Sequence, residues 1–337
     1  MSELRRDTIS GQWVLFAADR AGRPQDFDTV PIRRPDAHCP FCRGREEETP
    51  ASLAIYPAAN EGDWLVRVIP NRYPATYMEA GGNGTARAAN TDELGGLTAS
   101  LPARGRHEVI VESPRHVPGL AELSEEELQL TFIAYRDRLR ATAEAGMAYG
   151  IVFKNCGPAA GATLEHIHSQ LLGLPVVPDA VLREAASAEK HHQTTGRCVW
   201  CDVLAAELSA SQRIVEVTER YAAYCPYASR FAYQTCLIPR RHAARFEESS
   251  DAELAELAHL ARRTALRLGA ALNNPAYNYF LRTAPFDTNR QDHYHWQLEI
   301  FPRTTTPAGF EWATGCFINP VPPEAAAAAL RAALPER

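Results

Sequence analysis

The sequence has no excess of positive charge and no long apolar run. Its formal net charge is −6, so no basic field attracts a nucleic-acid backbone, and local groups must hold any phosphorylated ligand. No stretch reaches the roughly 18 apolar residues of a membrane span, and polar residues interrupt the N-terminal segment MSELRRDTISGQWVLF. We therefore expect a cytoplasmic protein without a nucleic-acid or membrane partner.

The cysteines do not form the pattern of a disulfide framework. Of eight cysteines, four lie in two Cys-x-x-Cys pairs, Cys39/Cys42 and Cys198/Cys201. The other four are scattered, at Cys156, Cys225, Cys236 and Cys316. In a cytoplasmic protein this spacing favours metal binding over disulfide bonds.

The residues that can bind metal recur in the same order in both halves of the chain. The first series is Cys39, Cys42, His116 and His166, and the second is Cys198, Cys201, His242 and His293. The two histidines are 50 positions apart in the first series and 51 in the second, although the Cys-to-His gaps before them are 74 and 41. A chain of 337 residues is also long enough for two domains, at about 100–200 residues each.

Each half has the local signals of an α+β fold. A capping-box pattern, Ser124-x-x-Glu127 and then Ser250-x-x-Glu253, begins an amphipathic helix in each half. A β-rich run and a histidine pair follow each helix. We predict a tandem duplication of α+β domains, 1–180 and 181–337, with antiparallel sheets and helices packed on one face. The polar stretches 77–96 and 187–197 are predicted as long loops, the second as the domain junction.

Two cysteines three positions apart, followed by two distant histidines, form a tetrahedral Cys₂His₂ set that closes a zinc site without an open position. We predict such a zinc at Cys39, Cys42, His116 and His166. A second is predicted at Cys198, Cys201, His242 and His293. His107 is the alternative ligand in the first half. For one Cys-x-x-Cys alone, a redox dithiol or two buried cysteines would be alternatives.

His166-Ile-His168 reads as a strand on which the two imidazoles share a face. One can bind metal while the other attacks phosphorus covalently. Gly157 and Gly161 allow close backbone approach before this strand, and Gln170 shares the face of His168. Further neutral hydrogen-bonding groups come from Asn155, Thr163 and Ser169. The alternative interpretation is a glycine-rich turn before a buried strand.

These residues resemble the galactose-1-phosphate uridylyltransferase family, the double-domain branch of the histidine-triad superfamily, over nearly the whole chain. The resemblance implies that His168 is the nucleophile, with Gln170 beside it, and that His166 and His116 of the element Ser113-Pro-Arg-His join Cys39 and Cys42 around zinc. It also implies substrate contacts from Arg20, Arg23, Asn71, Asn155, Gly161, Thr163 and Phe310.

Three features depart from the familiar members. Ile167 stands where they usually have proline. The strand His295-Trp-Gln-Leu-Glu299 lacks the later histidines that hold their second metal, and the Cys198/Cys201 set resembles instead the second zinc of plant nucleotide-sugar phosphorylases. In the segment AGFEWATGCFINPV, only Phe310 can be placed among the family's hexose contacts.

The predicted function is ping-pong transfer of a uridylyl group from UDP-glucose to galactose 1-phosphate through a nucleotidyl-histidine. One alternative is a phosphorylase that transfers the nucleotidyl group of ADP-glucose or a similar sugar to inorganic phosphate. An alternative of another class is a zinc-stabilised nucleotide-sugar-binding protein without catalysis. The resemblance also implies a homodimer.

Overall fold

The computed structural model describes residues 2–17, 38–59, 63–78, 101–286 and 292–334. Its strands are β1 (Glu3–Arg6), β2 (Trp13–Phe16), β3 (Ala54–Pro57), β4 (Trp64–Pro70), β5 (His107–Val111), β6 (Tyr149–Cys156), β7 (His168–Leu174), β8 (Ile214–Val217), β9 (Tyr221–Tyr224), β10 (Thr235–Pro239), β11 (Tyr277–Arg282), β12 (Gln297–Pro302) and β13 (Phe317–Asn319). Its helices are α1 (Glu125–Glu144), α2 (Asp179–Thr195), α3 (Val199–Ala210), α4 (Asp251–Leu272), α5 (Gly309–Thr314) and α6 (Pro323–Ala333).

Ten strands form one sheet, in the order β3-β4-β5-β7-β6-β11-β12-β10-β9-β8. All of its strand pairs are antiparallel. Each half contributes five strands with equivalent connections. Read inward from the two edges, these are β3-β4-β5-β7-β6 and β8-β9-β10-β12-β11. The halves join through β6 and β11, where Phe153 lies opposite Phe280. The predicted antiparallel α+β fold is confirmed, whereas the boundary at residue 180 stays a prediction.

Helices α1 and α4 lie side by side on one face of this sheet. Their apolar residues enter one core, in which Leu128 and Phe132 of α1 join Val68, Ile110 and Val152 of the strands. Both predicted capping boxes form: Ser124 accepts from the Glu127 backbone at 3.1 Å and Ser250 from the Glu253 backbone at 3.3 Å. These bonds satisfy backbone donors that a helix start leaves free.

The opposite face of the sheet differs between the halves. In the second half α2 and α3 cover it, with Ala188 and Trp200 packed against Tyr224 and Ile238. In the first half the same face carries His168 and the first cysteine pair. Because α2 and α3 cover this face only in the second half, the first-half face is available for a site. No helix of the described residues is both long enough and apolar enough to span a bilayer.

One predicted loop is wrong. The stretch 187–197 belongs mostly to α2, which runs to Thr195 and ends at Gly196 in the left-handed conformation, φ 71°. Its alanine, glutamate and lysine residues are good helix formers, and its polar residues form the solvent-facing side of an amphipathic helix. Most of the other predicted loop, 77–96, lies outside the described residues.

Candidate active site and metal centres

The first four predicted metal ligands lie together at the ends of strands. Cys39 and Cys42 lie at a turn, His116 lies beyond the end of β5, and His166 lies two residues before the start of β7. Their ligand atoms all lie within 4.8 Å of one another. His107, the alternative ligand, is absent from this cluster and lies at the start of β5 instead.

The geometry of this cluster fits a tetrahedral ion. The His166 Nδ1 atom lies 3.5 Å from Cys39 Sγ and 3.6 Å from Cys42 Sγ, and His116 Nδ1 lies 3.6 Å from Cys42 Sγ. Zn–S bonds of about 2.3 Å and Zn–N bonds of about 2.0–2.1 Å at tetrahedral angles separate S and N by about 3.5–3.6 Å.

The protonation of His166 also suits a metal ligand. Its Nε2–H donates to the Ser113 carbonyl oxygen at 2.9 Å, because a carbonyl can only accept. The Nδ1 lone pair therefore faces the thiols. Burial lowers the pKa of His166 to about 4, which keeps the ring neutral near pH 7. This pairing of an outer carbonyl with a neutral ring is how proteins orient histidine ligands.

A second cluster forms in the other half, but with one different ligand. Cys198, Cys201, His242 and His295 lie within 4.8 Å of one another. Cys201 Sγ lies 3.6 Å from His242 Nδ1 and 3.5 Å from His295 Nδ1. These distances match those of the first cluster and fit the same tetrahedral geometry.

The prediction of His293 as the fourth ligand is wrong. His166 stands two residues before β7 begins, and the residue two before β12 is His295, not His293. The similar spacings of 50 and 51 residues align His293 with His166 by sequence separation. Strand register instead aligns His295 with His166. The His293 ring instead lies 6.4 Å from the His192 ring.

His168 is the first residue of β7 and is buried, only 9% exposed. Its Nδ1–H donates to the His166 carbonyl oxygen at 2.8 Å. The neutral ring thus has its free lone pair on Nε2, the atom available for nucleophilic attack. Burial lowers the pKa of His168, which favours this neutral form. The edge-to-face contact with Phe41, at 5.4 Å between ring centres, holds the imidazole plane.

Gln170 and Asn71 join His168 on the open face of the sheet. Gln170 lies two positions along β7, and Asn71 follows the end of β4. Asn71 Nδ2 donates to Gln170 Oε1 at 3.3 Å. The structure thus brings together two of the polar groups that the sequence predicts around the nucleophile.

The glycine-rich loop between β6 and β7 precedes His168 in the chain. Gly157 and Gly161 have φ angles of 82° and 83°, which disfavour any residue with a Cβ. A Cβ at Gly157 would also lie 2.9 Å from that of Ala276. Asn155 accepts from Asn278 Nδ2 at 2.8 Å, and Thr163 is exposed near the end of the loop.

Asn278 is a site residue that the sequence did not predict. It lies on β11 of the second half and donates to Asn155 Oδ1 and to the Ala160 carbonyl, each at 2.8 Å. These bonds fix the loop to the other half of the sheet. The available signal was the run YNYFLR, but only the β6–β11 register, which places Asn278 opposite Asn155, gives it a role.

Of three further predicted substrate contacts, the structure describes only Phe310, which lies apart from this group. Arg20 and Arg23 lie outside the described residues. Phe310 lies on α5, which packs near β13, and is 47% exposed. The described part of the site is therefore assembled from β4, β7, the glycine-rich loop and β11.

The second half repeats this arrangement with an amide in place of the imidazole. By strand register, Gln297 stands where the first half has His168, and Glu299 stands where it has Gln170. Both residues line a cavity, together with Tyr224, Arg230, Cys236 and Arg282. Arg282 pairs with Glu184 and lies 3.6 Å from Glu299. An amide cannot replace an imidazole lone pair in attack on phosphorus, so Gln297 cannot play the part predicted for His168.

Comparison of sequences places the chain beside enzymes of nucleotide-sugar metabolism. A family model described as a domain of unknown function, DUF4921, matches residues 55–336. An ADP-glucose phosphorylase of Arabidopsis thaliana is 32% identical, covering 98% of this chain and 92% of the relative. A galactose-1-phosphate uridylyltransferase of Thermotoga maritima is 26% identical, covering 98% of each.

Solved structures give the same grouping. The crystal structure of an ADP-glucose phosphorylase from Arabidopsis thaliana with bound ADP-glucose superposes with a TM-score of 0.82, at 31% identity over 98% of this chain and 99% of that one. The structure of a uridylyltransferase superposes with a TM-score of 0.74, at 27% identity over 99% and 98% of the two chains.

Proposed function

The chain belongs to the galactose-1-phosphate uridylyltransferase-like family, and from this membership we propose that it transfers a nucleotidyl group from a nucleotide sugar to a phosphate acceptor through a covalent intermediate on His168. The observation that carries the proposal is the tautomer of His168. Its Nδ1–H is engaged by the His166 carbonyl, so Nε2 has a free lone pair beside Gln170. A neutral imidazole with one anchored nitrogen is suited to attack and leave again.

The first step forms a bond between His168 Nε2 and the α-phosphorus and breaks the bond from that phosphorus to the bridging oxygen. The sugar 1-phosphate leaves with the electron pair. The imidazole gains positive charge, and the His166 carbonyl stabilises the proton retained on Nδ1. In the second step an acceptor oxygen attacks the same phosphorus and the P–N bond breaks, which restores neutral His168. A phosphate acceptor is already anionic near pH 7, so no general base is essential.

For the acceptor we propose inorganic phosphate, which makes the enzyme a nucleotide-sugar phosphorylase acting on ADP-glucose or a related sugar. Transfer from UDP-glucose to galactose 1-phosphate, the main prediction from the sequence, is the second candidate. The phosphorylase relative is 32% identical and the cited uridylyltransferase 26%. The second Cys₂His₂ cluster and the hexose-side segment, in which only Phe310 matches, support the same choice.

Acceptor choice can be measured directly. With ADP-glucose and inorganic phosphate, we expect release of ADP and glucose 1-phosphate, and without any acceptor we expect an adenylyl adduct of the chain in intact-mass spectra. The same assay with UDP-glucose and galactose 1-phosphate is the comparison. Turnover that occurs only with galactose 1-phosphate would identify a uridylyltransferase. Binding of nucleotide sugars with no adduct and no turnover would favour the non-catalytic alternative.

We further propose that each Cys₂His₂ cluster holds zinc. A closed four-ligand zinc has a structural role, since it has no open position for substrate. In the first half, Cys39, Cys42, His116 and His166 would hold the turn before β3 against the strand of the nucleophile. The homodimer also remains a proposal, which sedimentation analysis can test.

Substituting Cys198→Ser is expected to reduce the zinc content from two ions per chain to one, because a thiolate ligand is lost from the second cluster only. Elemental analysis of the purified chain measures this ratio. Cys316→Ser is the matched control, since Cys316 is half-buried and belongs to neither cluster. A content of two zinc ions in Cys198→Ser, or of none in the unaltered chain, would contradict the assignment.

A further inference from the structure

His107 is a half-buried histidine beside the site, and the proposed reaction gives it no role. It is the first residue of β5 and lies between Ala75 and Gln170. The Ala75 backbone N–H donates to His107 Nδ1 at 2.9 Å. A backbone N–H can only donate, so Nδ1 carries the lone pair, and a neutral ring has its proton on Nε2. That Nε2–H points at Gln170 Oε1, 2.9 Å away.

These contacts determine which end of the Gln170 amide faces the site. Gln170 Oε1 accepts from His107 Nε2 and from Asn71 Nδ2, and these two nitrogens lie 3.1 Å apart as donors to the same oxygen. The Asn71 amide is itself fixed, since its Oδ1 accepts from the Tyr73 backbone N–H at 2.8 Å. The oxygen of Gln170 is thus turned toward His107 and Asn71, and its NH₂ group is turned away from them. The two ends of an amide are nearly identical in shape, so only hydrogen-bond partners set this choice.

We propose that His107 is a positioning residue that holds Gln170 with its NH₂ group directed at the phosphoryl oxygens attacked by His168. This inference rests on the proposed nucleotidyl transfer. The α-phosphoryl oxygens need donors, and a glutamine turned the other way would present an oxygen to them and repel them. A preset donor pays no reorientation cost in the transition state.

The second half contains a comparison for this contact. By strand register, Gln234, directly before β10, is the equivalent of His107 at the start of β5. Gln234 Nε2 donates to Glu299 Oε2 at 2.7 Å. A backbone N–H, that of Arg230, fixes Gln234 by donating to its Oε1 at 2.7 Å. The orienting contact is therefore present in both halves, but Glu299 is a carboxylate and offers no donor. A glutamine can supply the contact that His107 makes.

Activity measurements on His107→Ala, His107→Gln and Gln234→Ala test this role. His107→Ala is expected to lower kcat by about 10- to 100-fold with little change in KM, somewhat less than the 10²–10³ lost when a transition-state donor is removed outright. His107→Gln is expected to restore most of kcat. Gln234→Ala removes the equivalent bond of the second half and is expected to keep kcat. An unchanged kcat in His107→Ala, or an equal loss in His107→Gln, would overturn the proposal.

A double variant separates positioning from general packing. If His107 acts through Gln170, then His107→Ala/Gln170→Ala has the kcat of Gln170→Ala alone, because the donor is already gone. A further loss of tenfold or more in the double variant would show that His107 acts independently of Gln170.

Nitrogen NMR of the histidine rings gives a readout that needs no turnover. The signals assigned to His107 by comparison with His107→Gln are expected to show the neutral tautomer protonated on Nε2. The Nδ1–H tautomer would overturn the positioning role even in an active enzyme. The Nε2–H tautomer in a chain with no turnover on any acceptor would instead refute the proposed transfer reaction and leave the amide orientation standing.

Discussion

Replacing His168 by glutamine is expected to lower kcat by roughly 10⁴-fold or more, the scale seen when a covalent nucleophile is removed. An amide nitrogen has no lone pair that can attack phosphorus, so the nucleotidyl adduct cannot form. Glutamine is the substitution of choice because Gln297 occupies the equivalent position in the second half and is buried there. Steady-state kinetics and intact mass after incubation with ADP-glucose measure the two effects.

The fold should survive this substitution. The glutamine amide can donate to the His166 carbonyl as the imidazole does, and it fits the first position of β7. We therefore expect a melting temperature within a few degrees of the unaltered chain. His259→Gln is the matched control, since His259 is an exposed histidine on α4 that pairs with Glu125. A His168→Gln variant that still acquires the adduct would locate the nucleophile elsewhere.

The sequence was informative where the determinants are local. Both capping boxes lie within four residues, and the helices begin where Ser124 and Ser250 predict. The clustering of Cys39, Cys42, His116 and His166 was also predictable, because a Cys-x-x-Cys pair followed by two distant histidines is the order of a Cys₂His₂ ligand set. The glycine-rich loop was recognisable for a similar reason, since Gly157 and Gly161 must adopt positive φ.

The site residues that the sequence did not identify depend on strand register, which cannot be read from local sequence patterns. His295 was missed because the pair His293-x-His295 matches two alignments, and only the start of β12 distinguishes them. Asn278 bonds to Asn155, 123 positions away in the chain, across the junction of the halves. The sequence offers His107 only as an alternative metal ligand, because it is the β5–β7 pairing that brings His107 to its partner Gln170.

The second large effect concerns a buried ion pair on the helix side of the sheet, close to His168. Glu112 and Lys154 bond to each other with both side chains fully buried. The carboxylate also accepts from Tyr135 Oη at 2.7 Å and from Ser169, the neighbour of His168. Tyr279 of β11 bonds to Tyr135, so the cluster joins both halves on the helix side of the sheet. Burial lowers the pKa of Lys154, and Glu112 opposes this shift.

Lys154→Met is expected to reduce the free energy of unfolding by about 3–5 kcal/mol, because it leaves the Glu112 carboxylate buried without its counter-charge. Urea denaturation measures the loss. Lys190→Met is the matched control: Lys154 and Lys190 are the two lysines of the chain, and Lys190 is exposed on α2. A surface substitution of this kind is expected to change the free energy by no more than about 0.5 kcal/mol.

A double variant identifies the source of the loss. In Glu112→Gln/Lys154→Met this cluster carries no charge, and the new amide oxygen can still accept from Tyr135 and Ser169. The double variant should therefore be more stable than Lys154→Met by about 1–3 kcal/mol, even though it carries one more substitution. If instead the double variant is as unstable as Lys154→Met, the loss comes from the contact of the lysine ammonium with the Tyr279 ring. The uncompensated carboxylate would then not be its cause.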